Sequence, residues 1–197
     1  IGAGLELGGK DPAYVRADCN FDHAVENLVD GSYYNSGQSC CGIERIYVDE
    51  KIFDNFVDAF KAQTEKYILD NPLDNSTNLG PVVKLSAANN IRDQVSKALN
   101  NGAKNIIDES KFKIDNSDNC YVSPSALINV DHSMEFMMEE TFGPTVGIMK
   151  VKNDDEAEKL MNDSPYGLTA SIWTSDKNFA THFGNKIQTG TFFMNRC

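Results

Sequence analysis

Residues 20–48 read NFDHAVENLVDGSYYNSGQSCCGIERIYV, a helix, a turn and a strand in one run. Asn20 stands at a helix N-cap, where a short amide side chain can accept a bond from a first-turn N–H. Phe21, Ala24, Val25, Leu28 and Val29 follow at i, i+3, i+4, i+7 and i+8, one apolar face of an α-helix. Asn35, Ser36 and Gly37 together favour a turn, so the helix must end near them. Arg45 to Val48 then reads as a strand.

The same alternation extends outward. Ala13 to Val15 is a short strand. Phe53, Phe56, Val57 and Phe60 give a second helical face, which the sequence ends at Asn71-Pro72 because a residue before proline avoids the helical region. Ser86 to Asn100 is a third helix, with Gly102 as its C-terminal stop. Ser110 to Asn119 is polar and reads as a surface loop. Thr145 to Val151 is a strand. Asn153 with Glu156 resembles a capping box, opening a helix through Ala157, Leu160 and Met161. Pro165-Tyr166-Gly167 is a turn, and Leu168, Ala170 and Ile172 alternate with polar residues as in a strand. Asn178 to Lys186 is helical, and Thr191 to Asn195 is a last strand. Strands alternating with helices predict an α/β fold with a mostly parallel central sheet flanked by helices.

The bulk properties narrow the function. A length of 197 residues is ample for a hydrophobic core, and 41% apolar with 24% charged residues is ordinary for a globular protein. A net charge of −11 repels nucleic-acid phosphates and anionic lipid, so neither is an expected partner. No apolar run approaches the roughly 20 residues of a membrane helix. Five cysteines, an odd number at irregular spacing, do not form a disulfide framework and point to a reducing, cytoplasmic setting. Cys19 and His23 have the spacing of a metal pair, but no second pair follows, so no metal is expected. Asp115 to Asn119 is acidic, yet Cys120 and Ala126 occupy the places where a calcium loop needs glycine and an acid. Met134, Met137 and Met138 read as core filling.

Three stretches carry chemistry. The first is Asn35-Ser36-Gly37-Gln38-Ser39-Cys40-Cys41-Gly42-Ile43-Glu44-Arg45, a glycine-containing loop between helix and strand. A cysteine there can lie near backbone N–H groups that lower its pKa and bind an oxyanion; a structural cysteine in a tight turn is the alternative. The second is Leu5-Glu6-Leu7-Gly8-Gly9-Lys10. An acid between two leucines has the surroundings of a general base with a raised pKa, or else is a solvated carboxylate or a partner of Lys10. The third is Glu139-Glu140-Thr141-Phe142-Gly143-Pro144, which can present a carboxylate to a sugar diol or be an acidic surface turn.

In this order the three stretches resemble the aldehyde dehydrogenase superfamily, along essentially the whole chain. Leu5 to Lys10 is similar to its glutamate signature. Gly37-Gln38-Ser39-Cys40 with Arg45 is similar to its cysteine signature, 34 residues on (40 − 6). Glu140 to Pro144 resembles its cofactor motif, and Tyr166-Gly167-Leu168 and Gly190 to Asn195 resemble two structural motifs. The resemblance implies Cys40 as nucleophile, Glu6 as general base, Glu140 on the nicotinamide ribose with Phe142 beside the ring, and a backbone contact from Leu7. It implies NAD or NADP as cofactor, a small-molecule aldehyde as substrate, and a homo-oligomeric enzyme. It further implies that residues 1–197 are the nucleophile-bearing catalytic domain of a longer chain whose dinucleotide-binding domain lies elsewhere. Glu6 favours hydrolysis of the acyl-enzyme over two other readings, a CoA-acylating relative and a non-catalytic scaffold.

Overall fold

Asn20 caps its helix, accepting from the His23 amide at 3.4 Å through Oδ1, and Asn153 does the same for Glu156 at 2.9 Å. The Glu156 carboxylate reaches back to the Lys152 amide, one residue beyond the usual reciprocal partner. The computed structural model describes residues 2–5 and 7–197. Its elements run β1 Asp11–Val15, α1 Phe21–Tyr33, β2 Ile43–Asp49, α2 Phe53–Thr64, α3 Leu85–Asn100, β3 Lys104–Asn105, β4 Ser125–Ile128, α4 Glu135–Met138, β5 Thr145–Val151, α5 Asp154–Asn162, β6 Thr169–Trp173, α6 Lys177–Gly184 and β7 Thr191–Met194.

The seven strands form one sheet in the order β3-β4-β5-β2-β1-β6-β7, and every pairing except β3 with β4 is parallel. This is the mostly parallel α/β architecture that the alternation predicts. Successive side chains on a strand point to opposite faces. Ala13, Val15, Ile46, Val48, Val146 and Ile148 therefore meet α1 and α2 on one face, around Leu28, Tyr33, Phe56 and Phe60. Tyr14, Tyr47 and Ile172 meet α5 and α6 on the other, around Met161 and Phe183. Met134 and Met137 fill a third cluster beside α3 with Leu127 and Phe136, as core residues, whereas Met138 is half-buried outside it.

Several readings need correction. The second helix stops at Thr64, well before Asn71-Pro72. The Thr64 hydroxyl bonds back to the Phe60 carbonyl, and tight turns follow through Lys66 and Tyr67, whose ring packs edge-on against Tyr33. The alternating stretch is strand β6 over Thr169–Trp173, with Ser171 buried because helices cover both faces of the sheet. The polar stretch 110–119 is not wholly a surface loop. Phe112 is buried in the core, and Asp115 binds Arg92 at 2.7 Å. Strands β3 and β4 and helix α4 carry no readable sequence period, being two to four residues long.

Arg45 locks the sheet to α5. Its fully buried guanidinium donates to the carbonyls of Leu160, Met161 and Asp163 at the C-terminal end of that helix, while Nε donates to Lys10 O at 2.8 Å. The helix end carries partial negative charge, so a cation is well placed there. Arg45→Met would remove the charged donor from all of these carbonyls, although Leu160 O keeps the Tyr47 hydroxyl at 3.3 Å. We expect a loss of roughly 3 kcal/mol, since bonds to charged groups contribute about 1.5–3 kcal/mol each and are not additive. Urea denaturation of both proteins checks this; a change under about 0.5 kcal/mol, as for an ordinary surface substitution, would refute it.

Candidate active site

The motif segments all enter the sheet from the same edge. Gly8 to Lys10 leads into β1, Cys40 precedes β2, Phe142 precedes β5 and Leu168 precedes β6. These four strands are parallel neighbours, so the segments converge at the N-terminal edge of the sheet. A cleft of about 500 Å³ opens there, lined by Leu5, Leu7, Gly8, Cys40, Pro165, Tyr166, Gly167 and Leu168. A larger groove of about 610 Å³ runs between α3 and residues 109–125 and contains none of the motif residues.

The loop bearing Cys40 is built from left-handed residues. Asn35, Ser36 and Gly37 have φ of 52°, 56° and 70°. At Gly37 a Cβ would collide with the backbone of Gly143, so glycine allows the cysteine loop to lie directly on the 142–144 turn. Gln38 pins the loop rather than facing the chemistry: Oε1 accepts from the Val83 amide at 2.8 Å and Nε2 donates to Asn35 O at 3.1 Å. A turn closed by Gly42 N to Ser39 O, at 3.0 Å, presents Cys40 half-buried and Cys41 exposed. Of the five cysteines, Cys40 alone lines the cleft. Burial pushes the Cys19 thiol up to about 11, which keeps it protonated and unreactive.

Glu6 lies outside the described residues; its neighbours Leu5 and Leu7 share the cleft with Cys40. Leu7 is exposed. Gly9 must be glycine, because a Cβ would strike the Cys40 carbonyl. The glutamate and cysteine segments are therefore in backbone contact. Glu140 reaches the same place from the third segment, accepting from Gly9 N at 2.8 Å through Oε1. Among the described residues nothing donates to its other oxygen. Phe142 is 40% exposed with φ of 54°. The structure thus brings Cys40, Leu7, Glu140 and Phe142 to one edge.

Beneath them lies a buried polar network of Lys10, Glu44, Thr141 and Gln94, in which Lys10, an alternative partner for Glu6 on sequence, pairs with Glu44, and neither Glu44 nor Gln94 stood out. Lys10 Nζ meets Glu44 Oε2 at 2.5 Å and Thr141 Oγ1 at 3.2 Å. Glu44 also accepts from the amides of Thr141 and Phe142, each at 3.0 Å, and Thr141 Oγ1 donates to Gln94 Oε1 at 2.7 Å. Burial lowers the Lys10 pKa, and the Glu44 carboxylate opposes that shift. The available signal was a charged pair, Glu44-Arg45, at the head of an apolar strand. Two of the three histidines are engaged elsewhere, and His182 is exposed on α6. His132 bridges Asp163 and Tyr47 at 2.7 and 2.8 Å, and His23 contacts Asn195 O at 3.0 Å. Among the described residues no cluster of three or more His, Cys, Asp or Glu could hold a metal, and no helix is long and apolar enough to cross a membrane.

Residues 2–197 fit the model of the aldehyde dehydrogenase family. The chain belongs to that family. Cytosolic aldehyde dehydrogenase 1 of Rattus norvegicus is 36% identical over 191 residues, 97% of this chain and 38% of the rat protein. A betaine aldehyde dehydrogenase from Staphylococcus aureus, solved in complex with NAD+, superposes with a TM-score of 0.90 at 33% identity, over 98% of this chain and 38% of that one. An NADP-dependent glyceraldehyde-3-phosphate dehydrogenase from Bacillus halodurans, solved with NADP, gives 0.90 at 34% identity, over 98% and 39%. The chain spans about two-fifths of the length of these aldehyde dehydrogenases.

Asp11 supports the cleft wall, accepting from the Thr169 amide at 3.2 Å and its hydroxyl at 2.5 Å. Burial pushes its carboxyl up to about 6, against the Thr169 bonds and the Arg45 charge that lower it. A carboxyl raised on folding contributes stability in its neutral form. That contribution is complete below the unfolded value of 3.8 and is lost as pH rises through about 6. Asp11→Asn, neutral at every pH, should therefore gain on the wild type between pH 4 and 8, by at most about 3 kcal/mol at 1.36 kcal/mol per unit. Thermal melts across that range test it, and a Tm difference constant with pH would exclude Asp11 as the titrating group.

Proposed function

We propose that this chain carries the catalytic half-site of an NAD(P)-dependent aldehyde dehydrogenase that oxidises an aldehyde to a carboxylic acid, with Cys40 as nucleophile and Glu6 as general base. The observation that carries this reading is the convergence of Cys40, Leu5, Leu7 and Gly8 at one cleft, with Glu140 held beside it against Gly8 and Gly9. Glu140 fits a nicotinamide cofactor. Its carboxylate is held at one oxygen by Gly9 N, and Gly8, with φ of 79° and no Cβ, leaves it room. A ribose diol is a suitable donor for the other oxygen, Phe142 would stand beside the ring, and Leu7 would give a backbone contact. When bound, that cofactor accepts the hydride.

The chain's own residues carry the covalent steps. The Cys40 thiolate adds to the aldehyde carbon, forming a C–S bond and a tetrahedral oxyanion that the Cys40 amide can stabilise. Loss of hydride from that carbon leaves a thioester on Cys40. Glu6 takes a proton from water, the resulting hydroxide attacks the thioester carbonyl, and the C–S bond breaks to release the acid and the thiolate. Contacts to the cofactor's phosphates, which in dinucleotide sites come from helix N-termini and glycine-rich turns, fall to residues outside this chain. The reading also takes the enzyme to be cytoplasmic and homo-oligomeric.

Two experiments test it. Calorimetric titration of the 197-residue chain with NAD and NADP should show binding weaker than micromolar; a Kd of about 1 μM, roughly −8 kcal/mol, would misplace the cofactor site. In the full-length enzyme, Cys40→Ala should abolish both hydride transfer and acyl-enzyme. Glu6→Gln should slow deacylation by about 10²–10⁴-fold, giving a burst of NADH and then slow turnover that added thiols partly rescue. Unchanged steady-state turnover in Glu6→Gln would remove Glu6 from the mechanism and favour acyl transfer to a thiol such as CoA.

A further inference from the structure

We propose that Glu44 is the positioning residue of the cofactor shelf: with Lys10 behind it, its carboxylate sets the backbone of residues 141–142 and thereby the placement of Glu140 and Phe142. This deepens the proposed dehydrogenase reading and rests on it.

The geometry is specific. Phe142 sits at φ 54°, a conformation that side chains other than glycine adopt only at a cost. Successive amides around such a residue point to one side and form a small anion-binding concavity. The Glu44 carboxylate fills it, with Oε1 on Phe142 N and Oε2 on Thr141 N, both at 3.0 Å. Oε2 also takes Lys10 Nζ at 2.5 Å, and the carboxylate is buried. Each partner is attached to a different part of the site. Lys10 directly follows Gly9, whose amide holds Glu140 Oε1. Gln94 of α3 braces the far side, accepting from the Thr141 hydroxyl and donating to Glu140 O at 3.4 Å. Glu140 is thus held at its carboxylate from the β1 side and at its backbone from α3. Glu44 determines the reversal that turns Phe142 outward.

A carboxylate is required here and a neutral side chain is not equivalent. Two amides and an ammonium converge on two oxygens, and without the negative charge the buried Lys10 ammonium loses its hydrogen-bonded counter-ion and keeps only the more distant charge of Glu140. Glu44 would not touch the reacting atoms. It would act on cofactor affinity far more than on the nucleophile, because Gln38 and Asn35 pin the cysteine loop independently of the 141–142 backbone.

The test uses the full-length enzyme with NAD+ and NADP+ as probes. Glu44→Gln keeps the shape and removes the charge. The double variant Lys10→Met/Glu44→Gln removes both buried charges, so that no lone ammonium opposes folding. In both, KM and calorimetric Kd for the preferred nucleotide should rise about tenfold. At saturating nucleotide kcat should fall less than about threefold, and the rate of Cys40 alkylation by iodoacetamide without nucleotide should not change. A purely structural role would lower Tm, weaken nucleotide binding, and depress kcat and the alkylation rate together. If the folded double variant binds nucleotide as tightly as wild type, the inference is overturned while the dehydrogenase reading stands. If the wild type binds neither nucleotide, that reading fails and the inference with it.

Discussion

The buried pair of Lys10 and Glu44 is the constraint on which the rest of the site depends. Removing two charges from water costs several kcal/mol per ion, and a single contact between them does not offset it. Here the surplus hydrogen-bonding capacity is used. Glu44 accepts from two amides as well as the ammonium, and Lys10 also meets the Thr141 hydroxyl. The ring of Phe136 lies 5.2 Å from Nζ, adding cation–π attraction in a place without solvent. Lys10, Glu44 and Thr141 come from three segments far apart in sequence. A pair so costly to break holds those segments in a single register, and the cleft above inherits it.

The second constraint is steric. Gly9 lies against the Cys40 carbonyl and Gly37 against the Gly143 backbone, closer than any side chain permits. Close packing of main chain on main chain leaves few ways to shift the loops relative to one another. The site consequently sits at the N-terminal edge of the parallel strands, whereas ligands in open α/β sheets usually lie beyond the carboxyl ends. Arg45 completes the scaffold from below, tying β2 to the last turn of α5 and to the carbonyl of Lys10. The acidic surface has no part in this. The working charges are internal, while most of the 29 acidic residues are solvated.

Much of this was legible in the sequence. The helical period in 21–29, the caps at Asn20 and Asn153 and the apolar run of β5 are local properties, and they recur in the structure at the same residues. The three motifs were legible as well, because glycines, paired acids and a loop cysteine are informative by type. Other features were not. Strand β4 is four residues long and has no period to read. The end of α2 was placed at a proline, while the turn that stops it depends on Tyr67 packing against Tyr33.

By itself, the sequence determined the alternation of elements, the class of fold and which residue types could do chemistry, since these follow from periodicity, turn propensity and side-chain reactivity over short spans. Only the tertiary structure decided that Lys10 pairs with Glu44, that Gln38 pins a loop, that Asp11 is pushed up to about 6, and that four strand entrances share one edge. Those properties belong to no single segment. They arise from desolvation and from contacts between groups far apart in sequence, such as Asp11 and Thr169, separated by 158 residues, and such terms exist only once the sheet has brought the segments together.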